Sequence, residues 1–98
     1  MLEKLTRPVM AEQLNSKFQM FFGEGESAEV ELVEVEQRRS TPKQEQFAAV
    51  FRAPASVPAQ QGLYRIKHEV LGEFEILLVP FKRDNDSVYF EAYFNRLI

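Results

Sequence analysis

From Phe18 onward the apolar residues of this chain return at every second position, and that period specifies strands rather than amphipathic helices for most of its length. Phe18, Met20 and Phe22 alternate with Lys17, Gln19 and Phe21. Phe47, Ala49 and Phe51 share one face, as do Tyr64, Ile66 and His68, and then Val88, Phe90, Ala92 and Phe94. The spacing predicts six strands at about 17–23, 27–37, 46–52, 62–68, 73–81 and 87–94. The fifth is nearly all apolar in its second half, as expected of a strand covered on both faces.

One run breaks the alternation. Val30 and Leu32 occupy even positions, Val33 and Val35 odd ones, with glutamates filling the complements. A continuous strand cannot keep such a set on one face. A bulge near Leu32-Val33 repairs it by inserting one residue and returning the apolar side to the core.

Upstream the period is helical. Thr6 is an N-cap candidate, Pro8 falls in the first turn, and Asn15-Ser16 punctuates the end, which predicts a short helix at about 6–15. Val9, Met10 and Leu14 can share its apolar side, while Leu2 and Leu5 can staple its start. Under three turns long, it must dock on something. The links 23–26, 38–44, 53–61, 69–72 and 82–86 are too short for crossover helices, so neighbouring strands are expected to pair antiparallel. The fold class that follows is mainly β: one domain holding a six-stranded antiparallel up-and-down roll or small barrel, with one short N-terminal helix. In a regular meander, links 23–26, 53–61 and 82–86 share one rim.

Composition bears on function mostly by exclusion. Nine Phe and three Tyr in 98 residues supply the dense core that so short a chain needs. A net charge of −3 disfavours nucleic acid, no stretch is long enough to span a membrane as a helix, and neither a signal-like start nor any cysteine is present, so a cytoplasmic location is expected. With His68 as the lone histidine, neither a metal nor another cofactor is expected. Asp84-Asn85-Asp86 lacks the Gly and Glu of a calcium loop and reads as a turn. Glu29 and Glu31 stand roughly 7 Å apart on a strand, but on its solvent side with no apolar pocket. Ser16, Ser27, Ser40, Ser56 and Ser87 lie at strand edges or in turns, outside any nucleophile elbow. No enzyme is expected.

What remains is surface. The run from Glu24 to Glu36 has six Glu and no Lys or Arg, whereas six basic residues and Glu45 alone occupy Gln37 to Lys67. The 53–61 link, with Gln60 and Gln61, is longer than a hairpin requires and marks one candidate contact rim. Phe21, Tyr89 and Tyr93, with Leu77, Val79 and Phe81, fall opposite the main apolar face of their strands. They predict a second apolar surface, shared between the docked helix and a protein partner or second copy. Arg52, Arg65 and Gln60 at a barrel mouth are the alternative, a small-ligand site.

The segments Gln61-Gly62-Leu63-Tyr64-Arg65-Ile66-Lys67-His68, Leu71-Gly72-Glu73-Phe74, Leu78-Val79-Pro80 and Glu91-Ala92-Tyr93-Phe94-Asn95-Arg96 carry a resemblance. Together with Leu2-Glu3-Lys4-Leu5-Thr6 and Glu45-Gln46-Phe47 to Phe51-Arg52, they resemble an uncharacterised bacterial family of single-domain proteins of similar length. The resemblance assigns no functional residue. The missing catalytic constellation and the two-sided apolar strands lead to the expectation of a non-enzymatic interaction or assembly module, and the resemblance implies phage-tail-like accessory proteins as one setting.

Overall fold

A computed structural model describes residues 5–97; the side chains of Arg39, Ser40, Arg96 and Leu97 fall outside the description, as does Leu2. The described chain runs α1 (Arg7–Ala11), β1 (Lys17–Gly23), β2 (Glu26–Thr41), β3 (Gln44–Pro54), β4 (Gly62–His68), β5 (Gly72–Arg83) and β6 (Ser87–Leu97). All six strands pair antiparallel and close into a barrel in the order β1-β2-β3-β6-β5-β4, with β4 returning to β1. Closure removes both sheet edges, which in an open sheet would invite pairing with other chains.

The bulge expected near Leu32-Val33 is present, because the β2–β3 register shifts between Leu32 and Glu34. A second shift between Gln37 and Arg39 lets β2 continue to Thr41, so the strand is longer than alternation alone predicts. The apolar faces meet inside. Phe18, Phe47, Phe51 and Phe90 are fully buried with Met20, Leu32, Ile66 and Leu78. Phe47 stacks on Phe94 at 4.5 Å, and Phe18 meets Phe51 edge-on at 5.2 Å. At six strands the interior is filled by side chains rather than left as a channel.

The topology departs from a regular meander at one place. β3 and β4 are consecutive in sequence but lie across the barrel from each other, since β3 pairs β6 and β4 pairs β1. The link between them therefore crosses the barrel end, and Val57, 1% exposed, enters the core as a plug. Its extra length is used for this span. Ala55 N–H donates to the Asp86 carbonyl at 3.1 Å, so this link and the β5–β6 turn do share a rim.

The helix is shorter than expected but capped as predicted: Val9 N–H donates to Thr6 Oγ1 at 3.3 Å, and Pro8 sits in the first turn. After one turn the chain loosens, and Asn15 at φ 70° ends it. Met10 is fully buried in the core, but Leu14 is exposed rather than sharing that face. Asn15 N–H bonds the Leu32 carbonyl at 2.6 Å, and Leu32 N–H returns to Ser16 at 3.2 Å. The helix thus closes the barrel end opposite Val57, against the part of β2 that has no β1 partner.

Candidate functional site

Two places concentrate side chains that could do something, one at the helix end of the barrel and one on its outer wall. At the first, strand alternation turns His68, the last residue of β4, inward, where it is only 6% exposed. Its ring lies 4.2 Å from that of Phe18. Nδ1 accepts the backbone N–H groups of Val70 at 3.0 Å and Leu71 at 3.1 Å, organising the turn into β5. A nitrogen accepting two donors carries no proton, so Nε2 holds the hydrogen and donates it to Ser16 Oγ at 3.0 Å. The Ser16 hydroxyl in turn donates to the Gln13 carbonyl at 2.6 Å.

Ser16 and His68, 52 positions apart in sequence, are thus brought together like a nucleophile and its base. The chemistry runs the other way. A base for serine needs Nε2 free to accept, with Nδ1–H held by a carboxylate or carbonyl. Here both nitrogens have the opposite role, and desolvation lowers the imidazole pKa from its ordinary 6.5 against an opposing pull from Glu69. The neutral ring is a structural bracket.

The second place arises from a seam. β5 and β6 pair only where Val79–Arg83 meets Val88–Glu91, with a register shift between Pro80 and Lys82. Beyond Val79 the strands part: β5 stays with β4 as far as Gly72, and β6 stays with β3 as far as Leu97. The parting leaves a groove of about 490 Å³ floored by Leu5, Ile76 and Phe94. Its walls are outward-facing residues, Leu63, Leu77, Val79 and Tyr93, with Glu75 and Glu91 at the rim. Leu63 is 67% exposed and Phe81, at the irregularity, 55%. The outer face of β5 is therefore bare, not covered on both sides as its composition predicted. Nor does α1 lie over this surface; only Leu5, just ahead of it, reaches the floor.

The candidate residues separate accordingly. Tyr93 stands on the groove. Tyr89 is half-buried beneath the Lys82 ammonium, 5.0 Å from its ring centre, and Phe21 lies under the Arg65 guanidinium at 4.1 Å. Arg65 also pairs with Glu73 at 2.8 Å. Arg52 is on the outer wall of β3, paired with Glu31, which Lys17 approaches at 3.5 Å. Neither arginine turns into the barrel mouth. Gln60 and Gln61 are exposed on the crossing link, and the Gln60 carbonyl accepts the Tyr64 hydroxyl. Asp84 Oδ1 accepts the Asp86 and Ser87 N–H groups, so Asp84-Asn85-Asp86 is a self-capped turn. Among the described residues no group of three or more acidic or histidine side chains is placed to hold a metal, and no helix is long and apolar enough to cross a membrane.

Leu63, Glu75, Lys82 and Glu91 were not singled out by sequence. A signal existed: the outward residues of β5 read acidic at Glu73 and Glu75, apolar at Leu77, Val79 and Phe81, and basic at Lys82.

A closed antiparallel six-stranded barrel, sealed at one end by a helix and at the other by its own crossing link, is the class this geometry defines. Within that class, the chain belongs to the family described as a domain of unknown function (DUF6916), which it matches over residues 5–94. No curated protein and no solved structure matches it.

Proposed function

We propose that this protein is a non-enzymatic interaction or assembly module that binds a protein through the outer face of β4, β5 and β6. The observation that carries the reading is the contiguity of Leu63, Leu77, Val79 and Tyr93 around one groove, with exposed Phe81 next along the outer side of β5, in a chain whose core is already complete without them. Single exposed apolar residues are ordinary; a contiguous patch beside a cleft marks a contact site. The Ser16–His68 arrangement supports no nucleophilic role. A tail-associated accessory protein is one setting for such a module. A second reading, a small apolar ligand, is favoured by the groove's volume, which falls within the range of ligand sites.

A photo-crosslinking residue placed at Leu77, and as a control at Gln19 on β1, two strands around the barrel, tests the reading in the native cell. Protein adducts specific to position 77 are expected. Their absence, or equal adducts at position 19, would refute it.

A further inference from the structure

Resting on that reading, we infer that the occupant of the face is a second copy of this chain, docked about a two-fold axis near Val79. The face is self-complementary. Along the outer side of β5, Glu75 lies at one end, Leu77, Val79 and Phe81 in the middle, and Lys82 at the other. Antiparallel apposition of two such strands brings the Lys82 of each chain within side-chain reach of the Glu75 of the other. Both groups await a partner: among the described residues Glu75 makes no ion pair, and Lys82 meets only the Tyr89 ring. Two-fold contacts use the same patch twice, so one such ordering of charge on each chain suffices.

The shapes match as well. Phe81 protrudes where the β5–β6 register slips, and the groove between Leu77 and Tyr93 is a hole. The two lie four residues apart on β5, roughly 13 Å along the strand. The two-fold therefore seats the Phe81 ring of each chain in the groove of the other, capping the seam where β5 and β6 part. The five apolar side chains expose roughly 500 Å² per protomer, which with the charged rim approaches the ~800 Å² per partner of ordinary interfaces. A reversible dimer in the micromolar range is expected.

Sedimentation velocity on the purified full chain, from micromolar to millimolar concentration, reads this directly. Leu77→Lys should abolish the dimer while the exposed site leaves the melting curve close to wild type. Lys82→Glu should weaken association about tenfold by setting like charges together, and Glu75→Lys likewise. The double variant Glu75→Lys/Lys82→Glu should restore it, because the pair is rebuilt with its signs exchanged. A strict monomer at millimolar concentration, a dimer indifferent to Leu77→Lys, or a double variant no better than the singles would overturn the inference. If the cellular adducts at position 77 then contain only a different protein, the interaction role stands and self-association falls. If no adducts form, both fall.

Discussion

Replacing His68 by Asn separates the two jobs this side chain performs. Asn places an acceptor near the position of Nδ1, so the turn bonds to Val70 and Leu71 can survive, while the bond to Ser16 and the packing on Phe18 are lost. A neutral hydrogen bond contributes about 1 kcal/mol, so the cost above pH 7 is about 1–2 kcal/mol with the lost ring contact. The pH dependence discriminates further. Desolvation depresses the folded-state pKa of His68 below its ordinary 6.5. Between the two values the unfolded chain binds more protons, so stability rises with pH. The contribution is complete above about pH 6.5, declines as pH falls through that value, and levels off below the folded-state pKa. Protonation at Nδ1 removes an acceptor from two N–H donors, so acidification costs stability in the same direction. Urea unfolding of wild type and Asn variant at half-unit steps from pH 5 to pH 8 is the assay. The wild-type free energy should fall toward pH 5 more steeply than that of the variant, which shares every carboxylate. Parallel profiles would refute the assigned tautomer and the account of the turn.

Val57→Ala removes two methyl groups from the plug and should cost about 2 kcal/mol, since the crossing link can follow only partly into the space; a denaturant midpoint unchanged from wild type would show that the link does not seal the barrel. Gly72 follows the His68 turn at φ +83° with open space where a Cβ would stand, so Gly72→Ala should cost about 1 kcal/mol from backbone conformation alone, read as a drop of several degrees in thermal melting.

The alternation from Phe18 to Phe94, the broken phase at Leu32-Val33, the Thr6 cap and the Asp84 turn are local patterns, and each was legible because its cause lies within a few residues. Strand order was not. Which strand β3 joins depends on which pairing closes the barrel, and the length of the 53–61 link is compatible with either a loose hairpin or a crossing. For the same reason Arg52 and Arg65, which alternation places outward, could not be assigned to mouth or wall until the strands were arranged around an axis. The half-buried state of Phe21 likewise depends on Arg65, brought beside it by the β1–β4 pairing.

By itself, then, the sequence determined the secondary structure, the inward face of each strand, and the lack of cysteine chemistry, because side-chain period and residue type are properties of a linear chain. Only the tertiary structure decided that β5 and β6 part below Val79, that Leu5 floors the opening, and that His68 meets Ser16 as a donor. Those outcomes depend on closing six twisted strands into one cylinder. Where that closure leaves two neighbours out of reach of each other, it creates the apolar face on which the proposed function rests.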